Sequence, residues 1–481
     1  MSDTTKNHSM KRALLISTDV IGPDMAGPGI RVWELARALS TVCDVTVAAP
    51  RVPDTSPPEF RLISYPIRQA GALSPALAQA DLVMGQGLVF TAHPEVLASG
   101  LPLAIDLYDP ELLESLHFEN GQSYELIAAE HQRYVHQMMV MLRKGDFFFC
   151  ATERQRDYWI GALSAFGRIN VPNYSRDLSL RSLIDLVPSG IPSEPPSATR
   201  PVLRGVHPAI GPDARLFLWA GGLWHWFEPQ LLVRAAAALQ DELPQLRICF
   251  FAGARPNPYG EPYRTPTGER AYQLAAELGV LNRSVIFLED WVPYAERGAY
   301  LAEADVGVSS HLDGVETRFA FRTRLLDYIW ARLPVLSSAG DSLGTEIAEA
   351  GAGELVPIGD LDGWITAIRR MYHDDGHRAA CRAAAEKLAS KYTWERVAQP
   401  LINFCRTAQH TPDGDLMRDL IASQTPDPDA ALRQQLHEQA QHIAKLTAEI
   451  ERKNQHISEL EALLERIQNG RVMRLLRRLH G

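Results

Sequence analysis

Cysteine is scarce in this sequence. The five present are Cys43, Cys150, Cys249, Cys381 and Cys405; none lies close enough to another to suggest a zinc-ligand pair, and three fall inside apolar, strand-like runs. A disulfide framework is therefore excluded, and buried free thiols in a reducing compartment are expected. Long apolar runs are also missing: no stretch approaches the roughly 20 residues of a membrane-spanning helix. The polar opening MSDTTKNHSMKR has no apolar core of the kind a secretory signal needs. Nor is there an excess of positive charge. Lys and Arg number 48 against 58 Asp and Glu, a formal net charge of −10, which argues against a general nucleic-acid binder. The expectation is a cytoplasmic protein, with a peripheral position at the inner face of a membrane left open.

What is present is ordinary globular material, 46% hydrophobic and 22% charged, in a chain of 481 residues that is too long for one core. Short apolar runs alternate with helical patterns. Residues 12–18, 44–50, 82–87, 102–108, 147–152 and 183–188 read as strands, with helices such as Ile30–Leu39 and Glu125–Leu142 between them. Residues 189–214 are rich in proline and serine and read as a linker. The alternation then restarts at 216–222, 248–253, 285–290, 305–310, 334–338 and 353–357. Strand-helix alternation with apolar strands predicts parallel sheets covered on both faces. Two such α/β units in one chain, Rossmann-like and doubly wound, place a cleft between the carboxyl ends of their strands.

Residues 10–190 are thus read as the first domain, 200–375 as the second and 376–410 as closing helices. Residues 411–430 form an acidic linker with five aspartates. From Leu432 to Ile467, positions alternating by four and three residues repeat a heptad, which predicts a coiled-coil arm over 431–469. Residues 470–481 carry four arginines and no acid among leucines, a short amphipathic tail suited to an anionic membrane surface. A homodimer through the coiled coil is expected.

Four stretches carry candidate chemistry. In 309–337, Arg322 and Arg324 open a helix after an acid-bearing loop with Asp313 and Glu316, and Asp327 follows one turn on. Basic groups at a helix N-terminus suit a diphosphate, and the acid could hold ribose hydroxyls. The alternative is surface ion pairing, Arg324 with Asp327. Gly221 and Gly222 follow the first strand of the second unit and admit phosphate close to the main chain; Trp219, Trp224, Trp226 and His225 around them are either site or core. The loop Gly22–Gly29, with Gly27 and Gly29 before a helix, is a tight turn or a substrate-facing loop, and it is not a dinucleotide fingerprint. Asp106 and Asp109 end a strand of the first unit, where a carboxylate could orient or deprotonate an acceptor hydroxyl, or simply cap a turn. Asp360 and Asp362 read as helix capping, and no metal site is expected.

With GPGIRVWELARAL, FFFCATERQRDYW, VPSGIP, WAGG, WVPYAERGAYLAEADVGVSS and LLDYIWARLPVL in that order, the chain resembles the retaining GT-B glycosyltransferases of the glycosyltransferase family 4 type, over roughly residues 10–405. The resemblance implies acceptor binding mainly by the first domain, nucleotide-sugar binding mainly by the second, transfer with retained anomeric configuration, and no required metal or other cofactor. It implies that Asp327 holds the ribose. The family's preceding acid falls on Phe319, so Asp313 or Glu316 would meet the donor sugar instead. Leu223–Gln230 lacks the usual basic residues, whose task would pass to Arg322 and Arg324. Catalytic candidates are accordingly Glu316, Asp313, Arg322, Arg324 and Asp106. Donor binding would use Gly221, Gly222, Arg322, Arg324 and Asp327, and acceptor binding Gly27, Gly29, Asp106 and Asp109. The expected reaction is sugar transfer to a carbohydrate or lipid-linked acceptor, in cell-surface polysaccharide or glycolipid synthesis. The alternatives are a sugar-nucleotide epimerase of the same fold and a degenerate scaffold acting through the coiled coil.

Overall fold

Apolar runs too short for helices and buried on both faces assemble into two parallel sheets. A computed structural model describes residues 10–116, 123–197, 200–258, 260–414, 416–417, 443, 445–447 and 449–460. Residues through Gly414 form one unit and those from Asp415 another.

In the first sheet, β1 (Lys11–Ile16), β2 (Cys43–Ala49), β3 (Arg61–Ser64), β4 (Leu82–Gly85), β5 (Leu103–Asp106), β6 (Phe147–Cys150) and β7 (Ile184–Leu186) run in the order β3-β2-β1-β4-β5-β6-β7. The second orders β8 (Arg215–Trp219), β9 (Leu246–Phe251), β10 (Val285–Leu288), β11 (Val306–Ser309), β12 (Val335–Ser338) and β13 (Gly353–Val356) as β10-β9-β8-β11-β12-β13. Pairing within both sheets is parallel, with Leu14 opposite Val83 and Phe217 opposite Val306 at the two central joins. Every residue of β4, β5, β6, β11 and β12 is buried, because helices cover both faces.

Each strand order reverses once, between β1 and β4 and between β8 and β11. Loops leaving the carboxyl ends of those strands diverge and leave a crevice. The glycine loop follows β1, Gly221-Gly222 follows β8, and the stretch with Glu316, Arg322 and Arg324 follows β11, so the topology itself brings the sequence motifs to one place.

The segment 189–214 is less of a free linker than its composition predicts. Ile191 bridges to Thr393, and Val202, Leu203 and Ile210 are buried in the second domain's core. The closing helices divide between the domains. Asp375–Ala389 buries Ala385 and Leu388 in the second, whereas Trp394–Val397 and Gln399–Thr407 bury Trp394, Leu401 and Ile402 against Leu35 and Val47 of the first.

The acidic linker also begins differently from the expectation. Asp413 is buried, and its carboxylate accepts from Arg168 Nε at 2.8 Å, Asn173 Nδ2 at 2.8 Å and Asn170 Nδ2 at 2.9 Å. The Thr411 N–H donates to Asp146 at 2.9 Å. The chain is therefore strapped to the first domain through 414. Residues 418–442 of the expected linker and arm, 461–469 of the arm and the basic tail at 470–481 lie outside the described residues. In the second unit the described part of the arm is helical, and Ile443, Leu446, Ile450, Ile457 and Leu460 are 45–63% exposed. All five cysteines are buried free thiols, and Asp360 caps the helix Leu361–His373 by accepting from the Gly363 N–H at 2.9 Å.

Candidate active site

A cleft of about 1050 Å³ is lined by loops from both domains. On the second-domain side, β8 ends at Trp219 and the chain turns through Gly221, whose φ of +145° is a conformation side chains rarely adopt. A Cβ there would also stand 3.5 Å from the Arg324 guanidinium. Arg324 enters from the first turn of the helix Thr323–Trp330 and donates from Nη2 to the Gly222 carbonyl at 2.6 Å. Its guanidinium lies over Phe227 at 4.0 Å and Trp219 at 4.4 Å. Among the described residues no carboxylate is within ion-pair distance of Arg324, and its Nη1 has no hydrogen-bond partner. Burial, with Arg322 adding to it, pulls this guanidinium below its ordinary pKa. The expected local pairing with Asp327 does not form; Asp327 pairs instead with Arg297 at 3.1 Å. Arg297 is itself stacked over Tyr294 and Trp330.

Arg322 donates from Nη2 to Glu316 at 2.6 Å and lies over Phe227 at 5.0 Å. Glu316 is buried in the helix Val315–Phe319 and is not among the cleft-lining residues. Against the expectation of a sugar contact, it holds Arg322, which does line the cleft. Asp313 is exposed and stands off the cleft. Where the resemblance puts an acid, Phe319 packs its ring on Tyr158 of the first domain at 5.0 Å, and its carbonyl accepts from Gln155 Nε2 at 2.7 Å. The position has become part of the seam between the domains.

On the opposite wall, Gly27 lines the cleft and opens the helix Gly27–Leu39, whose first turn has no side-chain cap, whereas Gly29, also expected at the acceptor, is buried and does not line it. A Cβ on Gly29 would come within 2.4 Å of the Val20 carbonyl, so the turn needs glycine for close packing, while Gly27 has open space before it. Asp106, expected to face an acceptor hydroxyl, is not among the residues lining this cleft. It is buried under a two-pronged contact from Arg31, Nε at 2.6 Å and Nη2 at 3.0 Å. Arg31 also donates to the Val187 carbonyl at 2.7 Å, so Arg31 ties the first helix to the end of β5 and to the residue after β7. Asp109 does line the cleft, with Glu111 and Glu114 beside it. Burial first, then neighbouring charge, raises Asp109 to about 6 and Glu111 to about 8.

Several groups here were not singled out from sequence. Arg255, after β9, lies over Trp224 at 4.9 Å and donates to Asp19 of the first domain at 2.8 Å. Tyr294 donates from its hydroxyl to Glu34 at 2.7 Å and from its backbone to the Pro23 carbonyl at 2.9 Å. Trp224 and Trp226 line the cleft and stack at 5.7 Å, whereas Trp219 is core. The available signal for Arg255 was its place just beyond a strand's carboxyl end. For Glu111 and Glu114 it was the acid spacing DPELLE directly after β5.

Residues 214–374 match the family model of the glycosyl transferases group 1. The matched segment runs from β8 through the Arg324 helix and β13. Among curated relatives, the chain is 27% identical over 203 residues to a D-inositol 3-phosphate glycosyltransferase of Corynebacterium urealyticum, covering 42% of this chain and 45% of that one. It is 30% identical over 194 residues to the protein so named in Stackebrandtia nassauensis, covering 40% and 41%. The chain thus spans less than half the length of these curated relatives. Solved structures superpose more widely. A sucrose-phosphate synthase from Thermosynechococcus elongatus aligns over 86% of this chain and all of its own, with TM-score 0.59 and 19% identity. HepE from Anabaena, solved with UDP-glucose, aligns over 83% of this chain and all of its own, with TM-score 0.57 and 15% identity. WaaG, described as a glycosyltransferase involved in lipopolysaccharide biosynthesis, aligns over 82% and 99%, with TM-score 0.56 and 18% identity. The two parallel-sheet domains therefore have the GT-B glycosyltransferase fold.

Proposed function

We propose that this protein transfers a sugar from a nucleoside-diphosphate donor to a hydroxyl of a carbohydrate or lipid-linked acceptor, with retention of anomeric configuration. The observation carrying this reading is Arg324: a buried guanidinium without a carboxylate, held at the Gly221-Gly222 turn on a cleft wall. Buried charge is ordinarily paired, and a diphosphate supplies the missing anion with geometry that a guanidinium matches. Arg322, fixed by Glu316, adds a second positive group, and the uncapped first turn at Gly27 adds backbone amides opposite. Asp327 offers ribose hydroxyls an acceptor already oriented by Arg297. The solved HepE complex with UDP-glucose supports a nucleotide-sugar donor.

In this reading the bond between the anomeric carbon and the β-phosphate oxygen breaks, and its electron pair stays on the diphosphate beside Arg322 and Arg324. The acceptor oxygen bonds the anomeric carbon on the same face, and its proton passes to the departing phosphate oxygen. With Asp106 taken up by Arg31, the leaving group itself is the nearest base this account requires. Guanidinium groups meet the developing charge, and no metal is needed.

The test is a thermal-shift panel of nucleoside-diphosphate sugars, because a ligand that binds only the folded state raises its apparent stability. At least one should raise the melting temperature, and its transfer product should keep the donor's anomeric configuration by NMR. No shift across the panel, or an inverted product, refutes the corresponding part.

We further infer that the heptad arm pairs two copies, and that the basic tail brings the site to an anionic inner-membrane surface in cell-surface polysaccharide or glycolipid synthesis. The exposed Ile443, Leu446, Ile450, Ile457 and Leu460 support a partnered helix. Light scattering on the full chain and on residues 1–414 should give a dimer and a monomer; a full-length monomer rejects the inference.

A further inference from the structure

The acids expected to meet the donor's sugar are missing from the cleft. Neither Asp313 nor Glu316 lines it, and Phe319, where the resemblance puts an acid, belongs to the seam between the domains. In a transfer, the sugar must lie between the diphosphate and the domain that brings the acceptor. The loop from Leu223 to Phe227 crosses this span. At one end, a Cβ on Gly222 would stand 2.9 Å from Trp224 Nε1, so the indole edge lies directly against the glycine turn. At the other, His225 Nε2 is 3.4 Å from the Glu114 carbonyl of the first domain.

A second observation concerns what this loop presents. Trp219, just before it, is fully buried core, but Trp224 and Trp226 are only partly buried and line the cleft. Their rings stack with centroids 5.7 Å and planes 21° apart. Arg255 lies over Trp224 at 4.9 Å and is anchored on Asp19, so that ring is held in place before any ligand arrives. No hydrogen bond from either indole N–H is formed among the described residues. An aromatic wall with free N–H donors suits a ligand that has an apolar face and a polar rim. A pyranose is such a ligand: its axial C–H bonds meet the electron-rich face of an indole, and its hydroxyls lie at the rim.

We propose that Trp224 and Trp226 form the platform for the donor's pyranose ring. The C–H face of the ring packs on the indoles, and a ring hydroxyl accepts from the Trp224 N–H. Aromatic packing thereby replaces the carboxylate contact that the resemblance implies. The proposal rests on the donor reading above and adds which side chains recognise the sugar as distinct from the nucleotide.

The test is calorimetric binding of UDP, UDP-glucose, UDP-galactose, UDP-N-acetylglucosamine, GDP and GDP-mannose to the full chain, to Trp226→Ala and to Trp224→Phe. The sugar nucleotide that the native chain binds best should weaken about fivefold to tenfold in Trp226→Ala, which removes the packing surface. It should weaken at least about threefold in Trp224→Phe, which keeps a ring and removes only the N–H. The matching bare diphosphate should stay within about twofold of native in both. Should Trp226→Ala fail to fold, Trp224→Phe decides. A sugar nucleotide that binds either folded variant as tightly as the native chain, the result expected if the indoles meet the acceptor instead, overturns the proposal. So does a bare diphosphate that weakens as much as its sugar nucleotide. Both outcomes leave the donor reading standing. Absence of any nucleotide binding to the native chain removes the donor reading, and this inference with it.

Discussion

Arg255 reaches from the end of β9 across the cleft to Asp19 in the loop after β1, Nη2 to Oδ2 at 2.8 Å, with its guanidinium over Trp224. One side chain thus joins the two domains beside the candidate donor wall. Asp19 is nearly fully buried and Arg255 is 22% exposed, so removing the acid strands a largely buried cation, at a cost of roughly 3 kcal/mol. Asp19→Ala should therefore loosen closure: the radius of gyration by X-ray scattering should rise, and the nucleotide affinity should fall about tenfold. An unchanged scattering profile and affinity would deny the pair a role in closure.

The strap at the end of the first unit makes a second prediction. Asp413 accepts from Arg168, Asn170 and Asn173 in a site with almost no exposure. Its pKa is lowered, since the Arg168 charge and these hydrogen bonds together outweigh a desolvation that acts the other way. Asp413→Ala leaves Arg168 buried without its anion and should destabilise the first unit by about 3–5 kcal/mol in urea unfolding. A loss under about 0.5 kcal/mol, the range of ordinary surface changes, would mean that the strap is incidental.

The acids at the cleft predict a pH dependence of opposite sign to that of a paired carboxylate. Glu111 is raised from an ordinary 4.5 to about 8 by burial and then by Asp109. The folded chain binds this proton more tightly than the unfolded chain. The stabilisation is therefore full below the ordinary value and is lost as pH rises through the folded value. Glu111→Gln stays neutral, so at about pH 9 it should exceed the native chain in stability by on the order of 1–2 kcal/mol, a figure reduced for the surface Glu111 keeps on the cleft. Melting curves across that range that run parallel for the two proteins would contradict it.

Much of this architecture was legible because apolar runs bounded by turn residues report parallel strands directly. Twelve of the thirteen strands follow from such runs. The exception is β3, where Arg61-Leu62-Ile63-Ser64 forms a short edge strand, exposed at both ends and with little apolar run to notice. The topology also made the site region legible, because Gly221, Arg324 and Asp327 follow from their places after strand ends. Partnering was not legible. Asp106 and Arg31 are 75 positions apart, and Arg255 and Asp19 are 236 apart. Whether an acid at a strand end is free or locked depends on such distant contacts. The same limit hid the docked start of the acidic linker, since the burial of Asp413 depends on Arg168, 245 positions away.

The central claim is that Arg324 meets the charge of a departing diphosphate, and steady-state transfer by Arg324→Ala tests it most directly. With the donor found by the binding panel, the account predicts kcat lower by about 100–1000-fold, equivalent to ~2.7–4 kcal/mol of lost transition-state stabilisation. Arg324→Lys should recover little of it, because an ammonium lacks the planar fork. Near-native turnover in Arg324→Ala, with the variant folded and the donor still bound, would contradict the account.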